Sequence, residues 1–328
     1  MDKHRNRRSF FWPTLLIGVG LVWLLVNLGV IAPFNVSTIL KLWPLLLIVL
    51  GMDILFAHRY AWIGSLLGLL TVAGVVGFLI LAPRTGSLNN SAMLTEQFTT
   101  PVGDAISADY NFETASEPVE IYSIGGATNL IDANLSHYGT IGFVVSGSTS
   151  KSIHLFENTD SSSWLNWNWT LNDSKWDIGL NSEIPASIVL DGGSGSINAD
   201  LSELQLESLT ADLGSGSANF TLPESKSSIL VNIDSGSGAV NLSLPEKTNL
   251  TLRIQSGSGA VNVSLPADAA VQVEVRDSGS GSLHLPSSLN LTSGDSETGT
   301  WETKGYSASS VKILIQILDQ GSGSISIQ

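Results

Sequence analysis

The sequence predicts an N-terminal α-helical membrane anchor of three spans joined to an all-β domain, a β-solenoid of two facing sheets with rungs of 21–22 residues. Three observations carry this. Apolar stretches at about 11–31, 36–56 and 61–82 are each long enough to cross roughly 30 Å of hydrocarbon. The triplet Gly-Ser-Gly begins at Gly193, Gly214, Gly236, Gly257 and Gly279, in steps of 21, 22, 21 and 22, and returns at Gly321 after 42 residues. Alternating apolar and polar runs flank each triplet, the pattern of a strand with one buried face.

These features divide the chain into an anchor (1–82), a linker (83–105) and the solenoid (106–328). The solenoid has an irregular start (106–185), regular rungs (186–286), an irregular stretch (287–310) and a final rung (311–328). Charge follows the same division. Residues 1–84 carry a net +5 and residues 85–328 a net −19. The acidic part argues against nucleic acid, whose phosphates require a basic stripe. The chain has no cysteine, so disulfides, thiol catalysis and zinc–sulfur sites are excluded.

In the anchor, the start MDKHRNRRSF is basic, the first connection APFNVST is uncharged, and the second contains His58 and Arg59. Lys/Arg bias places such an N-terminus in the cytoplasm. Three crossings then make a multi-pass cell-membrane protein with its C-terminal domain extracellular. Phe10, Phe11, Trp12, Trp43, Tyr60 and Trp62 lie near span ends, as interfacial anchors do. A cleaved signal peptide would need a small-residue cleavage site after the first span, and none follows. Asn27 and Asp53 are polar residues within spans, where such groups can mark function, but both fall near span ends, where water or headgroups are close, and the structural reading is the simpler one. The stretches LLIGVGLVWLLVNLGVI (15–31) and LWPLLLIVLGMDIL (42–55) resemble the transmembrane region of LiaI–LiaF-like bacterial envelope proteins.

In the solenoid, the upstream apolar rows are Leu209/Ala211/Leu213, Ile229/Val231/Ile233, Leu250/Leu252/Ile254, Val271/Val273/Val275 and Ile313/Ile315/Ile317. The downstream rows are Ile197/Ala199/Leu201, Ala218/Phe220/Leu222, Val240/Leu242/Leu244 and Val261/Val263/Leu265. Each period reads strand, glycine corner, strand, proline corner, with Pro223, Pro245, Pro266 and Pro286 closing successive copies. The corner glycines are Gly193, Gly195, Gly214, Gly216, Gly236, Gly238, Gly257, Gly259, Gly279, Gly281, Gly321 and Gly323, where positive φ would let the chain turn sharply. Since no rung buries its apolar row alone, linear stacking supplies the walls.

One outward row is regular: Asn198, Asn219, Asn241 and Asn262, with His284 expected next. An Asn ladder ties stacked strands together; a flat polar face for glycan is the alternative reading, and the ladder is the simpler one. Residues 119–135 read as a degenerate strand–Gly–strand unit. Residues 167–180 read as a hairpin with Trp167, Trp169 and Leu171 facing Trp176, Ile178 and Leu180. Trp164, Trp167, Trp169 and Trp176 are candidate ligand contacts, but they suit equally a plug for the open end of the stack.

The stretch DSKWDIGLNSEIPASIVLDGGSGSINADLSELQLESLTADLGSGSANFTLP resembles the toast-rack family, through Trp176, Pro185, Gly193, Gly195, Asp200, Leu201, Ser202, Leu204, Leu206, Leu209, Gly214 and Gly216. The later rungs also resemble bacterial β-solenoids proposed to be adhesins. The resemblance implies a fold and a bacterial envelope setting, and it transfers no catalytic residue.

The sequence offers little chemistry. The five histidines lack partners at metal-ligand spacing. The Gly-Ser-Gly text is neither a nucleophile elbow nor a phosphate loop, because no helix follows it. Asp191, Asp212, Asp234 and Asp277 precede glycine corners, but Gln255 interrupts that series and the period differs from that of calcium-binding repeats. No cofactor or metal is expected. The reading is a non-enzymatic interaction module of the cell envelope with a membrane signalling partner, or alternatively an adhesin that binds cell-wall glycan.

Overall fold

The computed structural model describes residues 93–126, 128–158 and 174–328, with isolated helical positions between 16 and 77. The chain divides into two compact units, residues 1–92 with 160–172 and residues 93–159 with 173–328. Among the described residues, no helix is long and apolar enough to cross a membrane. The three predicted spans lie almost wholly outside the described residues.

Among its described residues, the second unit holds 21 strands and one short 3-10 turn. Its first part holds β1 (Leu94–Pro101), β2 (Ser107–Thr114), β3 (Val119–Ile124), β4 (Asn129–His137), β5 (Thr140–Ser146), β6 (Ser150–Asn158) and β7 (Lys175–Asn181). Then come β8 (Ala186–Gly192), β9 (Ile197–Asp200), β10 (Leu206–Leu213), β11 (Ala218–Thr221), β12 (Ile229–Ser235), β13 (Ala239–Ser243), β14 (Leu250–Ser256) and β15 (Ala260–Ser264). The last part holds β16 (Val271–Val275), β17 (Ser282–His284), β18 (Leu289–Gly294), β19 (Gly299–Thr303), β20 (Ile313–Asp319) and β21 (Ser324–Ile327).

Two sheets result. The first runs β1-β4-β7-β3-β9-β11-β13-β15-β21-β17, and the second β18-β19-β16-β20-β14-β12-β10-β8-β2-β6-β5. Repeat strands pair in parallel and in register, so Ala218 lies beside Val240, and Val240 beside Val261. Apart from Leu265, which is half-buried, every residue of the predicted apolar rows is buried in one continuous core. The two sheets supply opposite walls of that core. The Tyr110 hydroxyl, from the second sheet, donates across it to the Leu130 carbonyl of the first at 2.9 Å.

Stacking is not linear at the ends. In space the rungs run β6/β7, β2/β3, β8/β9, β10/β11, β12/β13, β14/β15, β20/β21, β16/β17. The 42-residue step to Gly321 has its cause here: β16/β17 overshoots by one place, and β20/β21 returns to fill the gap. At the other end, β2/β3 lies between β6/β7 and β8/β9 in the same way. Antiparallel strands then cover the outer rungs. β4 and β1 extend the first sheet beyond β7, β5 extends the second beyond β6, and the β18–β19 hairpin lies against β16.

Three sequence expectations are corrected. Leu94–Pro101, assigned to the linker, forms β1 along its whole length against β4; Phe98 packs on the core and on Phe143, 5.3 Å between ring centroids. The hairpin across 167–180 cannot pair through β7, because β4 holds one edge of that strand and β3 the other. Residues 287–310, expected to be irregular, contain the β18–β19 hairpin that covers the C-terminal end of the second sheet.

The corner glycines also have a different cause from the one expected. Among them only Gly279 and Gly321 take positive φ. At the others the constraint is the neighbouring rung. A Cβ on Gly214 would sit 2.6 Å from the Gly193 carbonyl oxygen, and one on Gly216 would overlap that of Gly195. The backbone ladder continues around the corner, with Ser215 N–H on Gly193 O at 3.0 Å and Ser237 N–H on Gly214 O at 2.9 Å. Glycine is required because main chain lies directly on main chain.

Candidate interaction surface

The outward row on the first sheet is a hydrogen-bonded ladder. Asn219 Nδ2 donates to Asn198 Oδ1 at 2.7 Å, Asn241 to Asn219 at 2.8 Å, and Asn262 to Asn241 at 2.9 Å. The bonds all run in one direction, because parallel in-register strands present each amide to the next with the same orientation. Ser326, not His284, follows Asn262, and His284 lies beyond it. This reordering is a direct consequence of the returning last rung.

On its other side the ladder meets charge. Glu120 neighbours Asn198, and Asp177 neighbours Glu120. Lys175 Nζ lies 2.8 Å from both carboxylates. Its hydrogen bonds to Asp177 and Glu120 raise its pKa, so this exposed cation remains charged. A shallow groove passes along the glycine corners beside Ser237, Ser258, Ser322 and Ser280.

The tryptophans separate. Trp176 is fully buried, between Val119 of β3 and Leu135 of β4. It is a core residue, which corrects its candidacy as a ligand contact. Trp164, Trp167 and Trp169 lie outside the described residues.

On the second sheet, Glu113, Asp191, Asp212 and Asp234 stand side by side, and Asp319 follows across Gln255. Asp277 lies past the end of β16, and its carbonyl accepts the Gln320 N–H at 3.2 Å. Burial, then the charges of Asp212 and Asp319, raise the Asp234 pKa. No group of three or more histidines and carboxylates suited to a metal occurs among the described residues.

Two clusters escaped sequence reasoning. His154 bonds Glu113 at 2.8 Å, and its ring lies 4.5 Å from that of Phe156, which covers Gly142. Glu117, almost wholly buried, accepts the N–H groups of Ala115 and Ser116 at 3.1 and 3.0 Å and bonds Glu157. No sequence signal marked either, since each joins residues about forty apart through the pairing of β2 with β6.

The carboxyl pair yields a pH prediction. Burial, and then the Glu117 charge, push Glu157 up to about 7. The folded state therefore holds a proton that the unfolded chain releases near the ordinary carboxylate range. The stabilisation is fully present below that range and is lost as pH rises through about 7. The domain is expected to melt lower at about pH 8 than at about pH 5, with Glu157→Gln removing much of the difference. Thermal unfolding at the two pH values checks this; a wild-type chain that melts higher at the alkaline value contradicts it.

Comparison with known proteins places this geometry. Residues 91–243 match the family model for the N-terminal domain of toast_rack, and residues 11–102 match that for the LiaF transmembrane domain. The two matches meet in one chain, the LiaF match over its N-terminal part and the toast_rack match over the first part of the β domain. Two solved structures also match this chain. One is a proposed cell adhesion protein from Clostridium sporogenes, with TM-score 0.48 and 20% identity over 72% of this chain and 98% of that one. Another is a proposed adhesin from Bacteroides fragilis, with TM-score 0.28 and 12% identity over 72% and 97%. No curated protein matches the sequence.

Proposed function

We propose that this protein is a non-enzymatic, membrane-anchored interaction module of the bacterial cell envelope that modulates envelope-stress signalling. The observation that carries the reading is the joining of a LiaF-like membrane region to a toast-rack domain in one chain. The solenoid adds a rigid surface. The ladder of Asn198, Asn219, Asn241 and Asn262 holds one face flat, and each amide keeps at least one N–H and one oxygen lone pair for a partner. That face, with the Lys175 cluster at its edge, is the contact surface assigned here. In this reading the partner is a membrane signalling protein. The test compares the output of envelope-stress sensor kinases in cells that carry the full chain, lack it, or carry residues 1–92 alone. Loss of the β domain should change that output. Unchanged output, together with lost binding of cells or protein to cell-wall glycan, would replace this reading with the adhesin one.

The orientation proposed is N-terminus in the cytoplasm and β domain outside, from the Lys/Arg bias of residues 3–8 and an odd number of spans. Protease added to spheroplasts should digest the chain beyond the membrane region. Full protection of the β domain until lysis would mean an even number of spans and a cytoplasmic domain.

A further inference from the structure

Residues 313–327 fill a place that the chain builds before filling it. In space, β20 lies between β14 and β16, and β21 between β15 and β17. In sequence, β16/β17 follows β14/β15 directly, and the β18–β19 hairpin comes next. Rungs two places apart are separated by about 10 Å and cannot bond each other. Until the last segment enters, both walls of this slot carry unpaired N–H and C=O groups in both sheets.

The slot is specific for its occupant. Ile313, Ile315 and Ile317 fall in line with Leu250, Leu252 and Ile254 on one side and with Val271, Val273 and Val275 on the other. Ile325 falls between Val261 and Leu283. Gln316 is held from both walls: Arg253 Nε donates to its Oε1 at 3.3 Å, and its Nε2 donates to Glu274 at 2.9 Å. These fitting contacts come from the walls. The connector from Lys304 to Lys312 contains one short 3-10 turn with no buried residue.

One residue weakens the seat. Gln320 is fully buried, and neither its amide nitrogen nor its amide oxygen has a partner. A buried polar group left unpaired disfavours the state that buries it. β20 also slips register against β14 between Ile254 and Gln255.

We propose that residues 311–328 form an exchangeable rung, which leaves before the rest of the domain unfolds and which the slot of a second copy accepts in trans. A segment from a neighbouring chain makes the same ladder and side-chain bonds as the chain's own, which is the condition for swapping between copies. The LiaF-like membrane region would hold copies in one plane, raising the effective concentration of each segment near its neighbour's slot. This inference is independent of whether the partner is a signalling protein or a glycan.

The experiment uses the full chain in detergent, with a specific protease sequence inserted between Lys304 and Gly305. After cleavage the C-terminal fragment should remain attached. It should then exchange for a fluorescent peptide of residues 311–328 at temperatures where the β circular-dichroism signal is intact, reaching stoichiometric labelling. The uncut chain should exchange more slowly, and an Ile315→Asp peptide should not enter. Exchange only in step with global loss of β signal, or an emptied slot that refuses the peptide, would overturn the proposal. Hydrogen exchange on the unmodified chain gives a second reading. Amides of β20 and β21 should exchange ahead of those of β12 and β13, and equal protection of the two pairs would also overturn it.

Discussion

Replacing Val240 by aspartate is expected to leave the chain without a folded β domain. Val240 is 1% exposed, on the inner face of β13, with Ala218 and Val261 as its neighbours. No cation faces inward from either neighbouring strand. An unpaired carboxylate there costs several kcal/mol, and the lost valine burial adds about 1.5–3 kcal/mol. Together these rival the roughly 5–15 kcal/mol that holds a typical domain folded. Asn241→Ser is the matched control. It breaks two ladder bonds on the solvent side of the same strand, leaves no buried group unpaired, and should cost only about 1 kcal/mol. Circular dichroism and limited proteolysis of both variants decide the matter. Similar behaviour would mean that the assigned inner and outer faces are reversed or that the ladder is the principal support.

Gly216→Ala should be the next most damaging change. The added methyl would overlap the Gly195 carbonyl oxygen, a main-chain atom that cannot turn aside. Relief requires the two rungs to separate at the corner, where Ser215 bonds Gly193. A cost of about 3 kcal/mol, at the upper end for overpacking, is expected. Gly305→Ala separates this cause from backbone conformation. Gly305 has φ +85° and open space around it, so only left-handed strain of about 1 kcal/mol applies. Urea unfolding of the two variants gives the order directly. A larger loss at Gly305 would show that conformation rather than stacking selects glycine.

Much of the repeat was legible because parallel, in-register stacking leaves a periodic trace. Each rung meets the same surroundings as the last, so Leu209, Val231 and Leu252 recur in phase, as do Asn219, Asn241 and Asn262. The hairpin expected around Trp176 failed for the opposite reason. Alternation reveals a strand and its buried face but not which strands lie at its edges, and β7 is sandwiched between two that are distant in sequence. β1 was missed because LTEQFTTP carries little apolar alternation; its place comes from pairing with β4, with Phe98 half-buried against the core and Thr100 buried. The paired carboxyls of Glu117 and Glu157 were likewise invisible, since neither residue has a local pattern that marks proximity.

By itself, then, the sequence determined the two-strand rung, its inner and outer faces, the glycine corners and the acidic character of the β domain. These depend on local periodicity, which every rung repeats. Only the tertiary structure decided the order of the rungs in space, the identity of the end strands and the residues that meet across them. Rungs of near-identical composition can stack in many orders with similar burial. The order is selected by how the irregular segments at the two ends cover exposed edges, and by the return of the last rung between two that the chain had already made.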